Sequence, residues 1–206
     1  MPKRLQGLYA ITDEKLTPDH SVCEQVEEAL QAGVKILQYR NKTAHDDEIE
    51  AVCEKLCQLC HQYDAAFIID DRAELATKVG ADGLHIGKDD GSISQAREAF
   101  PNGFIGVSCY GSIRKAKEAQ DEGAAYVAFG SFFPSPTKPK SGIISTNVLD
   151  KAKAALEVPV CAIGGINREN IHEIAQHGPD MISVVNDIFN GDITKNITQL
   201  TKGMKI

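Results

Sequence analysis

A charged, helix-like stretch that ends in glycine and passes within a few residues into a short apolar run recurs along this chain. Glu28–Gly33 precedes Ile36-Leu37, and Glu74–Gly80 precedes Gly83-Leu84-His85-Ile86. Lys117–Gly123 precedes Tyr126–Phe129, and Glu173–Gly178 precedes Met181–Val184. Glycine at those positions suits the left-handed C-terminal cap of a helix. The apolar runs Leu8–Thr12, Phe67–Asp70, Phe104–Cys109 and Val158–Ile163 bring the strand candidates to eight. Strict alternation of strand and helix implies parallel pairing through right-handed crossovers. Eight such units predict an α/β chain closed as a single (β/α)8 TIM barrel. A doubly wound open sheet is the alternative, weakened because no Gly-x-Gly-x-x-Gly follows the first strand.

With 206 residues, 42% of them hydrophobic, the chain can fill one sizeable core. No Pro/Ser/Gly-rich linker interrupts it, so one domain is expected over residues 1–206. The net charge is −7 and no basic stripe is present, which argues against nucleic acid or an acidic membrane as partner. No apolar run approaches the roughly 18 residues of a membrane span, and the first residues do not read as a signal peptide. A cytoplasmic protein is expected, and self-association into a homo-oligomer is left open.

Of six cysteines, three form Cys53-x3-Cys57-x2-Cys60, followed by His61. Such spacing can ligate an iron–sulfur cluster or zinc. The same residues also continue the apolar stripe of Ile49, Val52 and Leu56 at helical period. Buried free cysteine behaves as a small hydrophobe, and core packing is the favoured reading.

The polar residues gather where the strands end, which in a barrel is where chemistry sits. Gln38, Arg40 and Lys42 occupy alternate positions after Ile36-Leu37, so their side chains share one face. A wet strand end and an anion-binding wall both explain this run. Arg and Lys together suit a multiply charged anion, as fork and point charge. Asp70, Asp71 and Arg72 end the third strand, and Lys88, Asp89 and Asp90 follow the fourth. Asp71 and Asp90 could share a hard divalent ion such as Mg²⁺, or could cap the helices that follow them. Ser108 ends the fifth strand. His85, in mid-strand, is expected to be a packed core residue.

The connection after the sixth strand, 131–142, is long and carries Ser135, Pro136, Thr137, Lys138 and Lys140. Long loops of this kind are often functional. Gly164-Gly165 opens the segment after the seventh strand, and Val185-Asn186-Asp187-Ile188-Phe189 reads as a short extra helix after the eighth. Barrels often place a phosphate at the loops after strands 7 and 8. The pattern predicts two anion sites, one for a diphosphate with Mg²⁺ and one for a monophosphate.

Several stretches together resemble the thiamine-phosphate synthase family over nearly the full length. They are Leu8–Asp13, Gln38-x-Arg40-x-Lys42, Asp71-Arg72 with Leu75-Ala76, and Ala81–Gly87. Asp90, Gly106-Val107-Ser108, Thr137-Lys138-Pro139 and Gly164-Gly165-Ile166 complete the match. The resemblance implies two small phosphorylated substrates, an aminopyrimidine methyl diphosphate and a thiazole phosphate, joined with release of diphosphate. It implies that Gln38, Tyr39, Arg40, Asn41, Lys42, Asp70, Ser108 and Lys138 hold the pyrimidine diphosphate. Among these, Arg40, Lys42, Ser108 and Lys138 would serve catalysis. Asp71 and Asp90 would carry one Mg²⁺ ion per site. Ser135, Pro136, Thr137, Gly165, Val185 and Asn186 would hold the thiazole phosphate.

The chain departs from the family's usual residues at four places in or beside these stretches. Asp70 stands for Asn, Lys88 for Gln, Ser135 for Thr and Asn186 for Ser. A carboxylate at 70 would repel a diphosphate unless it were protonated or helped to hold the metal. Two other functions fit the same fold: a thiazole tautomerase-like relative, and a silent barrel that senses thiamine phosphates. The first does not need Arg40, Lys42, Asp71, Asp90 and Lys138, all of which are present.

Overall fold

The computed structural model describes residues 5–88, 90–135 and 142–205. Eight strands form a closed barrel in chain order: β1 (Gly7–Ile11), β2 (Ile36–Tyr39), β3 (Ala66–Asp70), β4 (Gly83–Ile86), β5 (Phe104–Tyr110), β6 (Tyr126–Phe129), β7 (Val160–Ile163) and β8 (Met181–Val184). Between them run α1 (Val22–Gln31), α2 (Asp46–Gln62), α3 (Ala73–Lys78), α4 (Ile93–Ala99), α5 (Ile113–Asp121), α6 (Asn147–Ala155) and α7 (Ile171–Ala175). After β8 come α8 (Asn186–Phe189) and α9 (Ile193–Met204). Gly7 to Ala10 pair in parallel with Met181 to Val184, and this contact excludes an open sheet.

The glycines that close the helical stretches lie in the left-handed region: Gly33 at φ 107°, Gly80 at 68°, Gly123 at 92° and Gly178 at 61°. Any Cβ there would be strained, so glycine is what lets the chain turn from helix into strand. Outside the barrel, α2 buries Ile49, Cys53, Leu56, Cys57 and Cys60 against the sheet. Burial pushes the Cys53 thiol up to about 12, so it stays neutral and packs as a hydrophobe. No described helix is long and apolar enough to cross a membrane.

Inside the barrel, Tyr9, Ile36, Ala66, Ile68, Tyr126, Cys161 and Met181 form a separate apolar cluster. Two large rings fit because the neighbouring strand lacks side chains beside them. A Cβ on Gly83 would stand 2.2 Å from the Phe104 ring, and one on Gly106 would stand 2.0 Å from the Tyr126 ring. Glycine here is needed for close approach rather than for backbone conformation. We expect Gly106→Ala to force the Tyr126 ring aside and destabilise the fold by about 1–3 kcal/mol, the usual scale of overpacking. Urea unfolding would read this as a lower midpoint at unchanged slope; an unchanged midpoint would refute the packing argument.

Candidate active site

A cavity of about 1220 Å³ lies over the barrel and is lined by residues at the C-terminal ends of the strands. That is ample for two small molecules side by side. Gln38, Arg40, Lys42, Asp70, Asp71, Asp90 and Ser108 all line it. Tyr39 and Asn41 alternate with the first three and do not. The Tyr39 hydroxyl donates to Asp19 at 3.2 Å on the outer side of the barrel. The Asn41 side chain accepts from the N–H groups of Thr43 and Ala44, at 3.1 and 2.9 Å.

β2 ends at Tyr39, so Arg40 and Lys42 stand in the loop beyond it. That loop is held in place from both sides. Arg40 N–H donates to Thr12 Oγ1 at 2.9 Å, at the end of β1. Glu14 accepts from Lys42 N–H and from the Thr43 hydroxyl, each at 2.6 Å, and these bonds keep its carboxyl below the usual range. From below, the Arg72 guanidinium donates to the carbonyls of Asn41 and Ala44 at 2.7 and 2.8 Å and pairs with Asp46. Arg72 is therefore a clamp for the loop and not a wall of the cavity.

Asp71 has φ 63°, a left-handed conformation that Asp tolerates better than most residues. Its N–H donates to His85 O at 2.9 Å. Asp71 lines the cavity beside Lys42 while Arg72, the next residue, reaches the loop. Neither Asp71 nor Asp90 caps a helix. Residue Arg72 occupies the cap position of α3, and Ser92 caps α4 through a 3.2 Å bond from Gln95 N–H. Asp90 Oδ2 instead accepts from Gly87 N–H at 2.7 Å, which turns the loop after β4 toward the cavity.

Asp70 is only 9% exposed and lies between the two cations of the β2 loop. Its Oδ2 is 3.5 Å from Arg40 Nε and 3.1 Å from Lys42 Nζ, and Lys42 also pairs with Asp71. On this wall three cations, Arg40, Lys42 and Lys88, face three carboxylates, Asp70, Asp71 and Asp90. The described wall is thus electrically balanced.

The opposite wall comes from β6, β7 and β8. Gly165 and Gly164 let the β6 loop sit on the β7 turn: a Cβ on Gly165 would stand 2.4 Å from Phe133 O. Phe133 N–H donates to Gly164 O at 3.0 Å. Ser135, Gly165, Val185 and Asn186 all line the cavity here. Arg168 and Asp187, which the sequence reading passed over, line it as well, joined by a forked pair with Nη2 to Oδ1 at 2.7 Å. Pro136, Thr137 and Lys138 lie outside the described residues.

The floor also holds groups that sequence patterning missed. His85 is half-buried and lines the cavity, contrary to the expectation of a packed core residue, because its strand points it toward Ser108 and Tyr126. Ser183 is buried and also lines the cavity, and its hydroxyl has no hydrogen-bond partner among the described residues. Each is an inward position on a strand, and their strand registers were the only available signal.

An eight-stranded barrel carrying a large cavity lined by charged and polar strand-end residues on its C-terminal rim is the architecture of a (β/α)8 enzyme. The chain belongs to the thiamine monophosphate synthase family, whose sequence model matches residues 8–188. It is 43% identical to the thiamine-phosphate synthase of Wolinella succinogenes over 98% of this chain and 93% of that one. The corresponding protein of Alcanivorax borkumensis is 44% identical over 90% and 86% of the two chains. Among solved structures, thiamine phosphate pyrophosphorylase from Pyrococcus furiosus superposes with a TM-score of 0.89 at 37% identity, covering 98% and 97%. The family is one of transferases. A geranylgeranylglyceryl phosphate synthase from Thermoplasma acidophilum shares the fold at 18% identity and a TM-score of 0.69, covering 97% and 93%.

Asp70 competes with any anion for Arg40 and Lys42. We expect Asp70→Asn to bind inorganic pyrophosphate more tightly by up to about 1 kcal/mol, the scale of one partly exposed ion pair. Titration calorimetry with Mg²⁺ present would show this as an affinity gain of up to about fivefold. Weaker binding would mean that Asp70 contributes to the anion site.

Proposed function

We propose that the protein is a Mg²⁺-dependent thiamine-phosphate synthase. Its substrates are 4-amino-2-methyl-5-(diphosphooxymethyl)pyrimidine and 4-methyl-5-(2-phosphooxyethyl)thiazole or its carboxylated precursor, and its products are thiamine phosphate and diphosphate. Family membership supports this reading. The observation that carries it to these substrates is the wall on which Arg40, Lys42, Asp71 and Asp90 face one cavity with space for two small molecules.

The charge balance supports a metal. A diphosphate would meet as many carboxylates as cations on the described wall. The donor set fits Mg²⁺: two carboxylates with hard oxygens, one of them a buried Asp71 oxygen whose partner is the Lys42 ammonium. No three His, Cys, Asp or Glu side chains group around one point among the described residues. Asp71 and Asp90 would therefore hold the ion together with phosphate oxygens and water, as is usual for Mg²⁺. When bound, the ion supplies electrostatic stabilisation of the leaving diphosphate.

The chain's own residues then act by position and charge. Arg40 and Lys42 hold the diphosphate, with Lys138 from the β6 loop. The bond between the pyrimidine methylene carbon and the diphosphate oxygen breaks first, and the electron pair leaves with the diphosphate. The methylene cation is stabilised by the aminopyrimidine ring. The thiazole nitrogen lone pair then forms the new C–N bond. Gln38 and Ser108 orient the pyrimidine, and Ser135, Thr137, Gly165, Val185 and Asn186 hold the thiazole phosphate. Arg168 neutralises Asp187, a carboxylate that would otherwise face that phosphate. Alignment and charge stabilisation together are sufficient for a substitution of this kind.

Mixing purified protein with both substrates and Mg²⁺ is expected to yield thiamine phosphate. Tight binding of both without product would indicate a sensor instead. Asp71→Ala and Asp90→Ala should each reduce Mg²⁺-dependent turnover severely, since losing ion-based charge stabilisation costs several kcal/mol. A wild-type Mg²⁺ response in both variants would remove the metal assignment. Lys138→Ala should cost about 3 kcal/mol of transition-state stabilisation, the scale of one preorganised donor. An unchanged kcat would exclude that lysine from the catalytic site.

A further inference from the structure

At the floor of the cavity, one line of hydrogen bonds crosses the barrel. Gln38 Nε2 donates to the Tyr9 hydroxyl at 3.1 Å. The Tyr9 and Tyr126 hydroxyls are 2.9 Å apart. Tyr126 OH lies 2.8 Å from His85 Nδ1, and His85 Nε2 lies 2.8 Å from Ser108 Oγ. The line joins β2, β1, β6, β4 and β5; Gln38, Tyr9, His85 and Ser108 line the cavity, and Tyr126 does not.

One polarity gives every hydroxyl in the line one accepting and one donating role, starting from its one-sided first member. An amide NH2 only donates, so the Tyr9 oxygen accepts. The Tyr9 proton then goes to the Tyr126 oxygen, and the Tyr126 proton to His85 Nδ1. Nδ1 is thereby an acceptor, which leaves the ring proton on Nε2, where it is donated to Ser108 Oγ. The Ser108 oxygen is already accepting, so its own proton is free to point into the cavity. At the other end the Gln38 carbonyl oxygen is left over as an acceptor. Burial raises both tyrosine pKa values well above the ordinary range, which keeps these phenols neutral and able to donate.

We infer that Tyr9, Tyr126 and His85 are positioning residues that form one polarised relay, fixing Ser108 as a hydrogen-bond donor and Gln38 as an acceptor toward the pyrimidine substrate. The inference rests on the proposed synthase reading for the identity of that substrate. The relay gives complementary character to two polar groups on separate strands. An aminopyrimidine needs both kinds of partner: its amino group donates and its ring nitrogens accept. Tyr126 is fully buried and is not part of the cavity wall, so its hydroxyl can influence a ligand only through its neighbours.

The first test reads the His85 tautomer in the free full-length chain by nitrogen NMR of ¹⁵N-histidine-labelled protein, with the signal assigned by its loss in His85→Asn. The Nε2–H form is expected; a dominant Nδ1–H form would overturn the polarity. The second test measures binding of the pyrimidine diphosphate with Mg²⁺ by calorimetry. Tyr126→Phe is expected to weaken it several-fold and to leave thiazole phosphate binding unchanged. In a Ser108→Ala background the same substitution should cost less than it does alone, since only the Gln38 end of the relay is left to disturb. Additive losses would overturn the relay, since Tyr126 would then act independently of Ser108. If Tyr126→Phe does not fold, the wild-type tautomer still decides. The tautomer needs no turnover: a protein with Nε2–H but no thiamine phosphate production refutes the proposed function alone, and an active synthase with Nδ1–H refutes the relay alone.

Discussion

Parallel pairing of β1 with β8 turns a succession of strand–helix units into a ring. Closure removes both sheet edges, and because every pairing is parallel, all C-terminal strand ends lie on the same rim. Residues far apart in the chain thereby become neighbours. Gln38, Asp71, Ser108, Gly165 and Asn186 each follow or end a different strand, and all line one cavity. Closure also confines the interior, which is why Tyr126 requires glycine at 106 and Phe104 requires glycine at 83.

Within that ring the β2–β4 wall is governed by competition for Lys42. Asp70 and Asp71 both hold its ammonium, and Asp70 also faces Arg40. Buried charge is costly unless paired, so these groups neutralise one another until a ligand replaces some of the pairings. A divalent ion taken up by Asp71 and Asp90 would release Lys42 toward an anion. On the proposed Mg²⁺-dependent reading, that exchange is what an alternation of cations and carboxylates along one wall would serve.

Much of the scaffold was legible from local pattern. The strand assignments lie within two residues of the observed ends, and Gly33, Gly80, Gly123 and Gly178 have the left-handed backbone expected of caps. Cys53, Cys57 and Cys60 follow the apolar stripe of α2. The alternation of Gln38, Arg40 and Lys42 puts all three on the cavity wall and sets Tyr39 and Asn41 off it. Side-chain direction in an extended chain has period two, so neighbours in sequence suffice to predict it. The capping reading of Asp71 and Asp90 did not hold, because Ser92 caps α4 and the left-handed turn at Asp71 separates that carboxylate from the Arg72 clamp.

The sequence by itself determined the alternating architecture, the chemical character of the strand ends and, through its matched stretches, the family. Those depend on local periodicity and residue type, which the chain carries directly. Tertiary structure alone decided which polar groups meet. Pairing Tyr9 with Tyr126 joins residues 117 positions apart, and His85 reaches Ser108 only through the register of β4 on β5. No local pattern encodes such contacts, because they depend on strand register and barrel closure, and both are settled by packing of the whole chain.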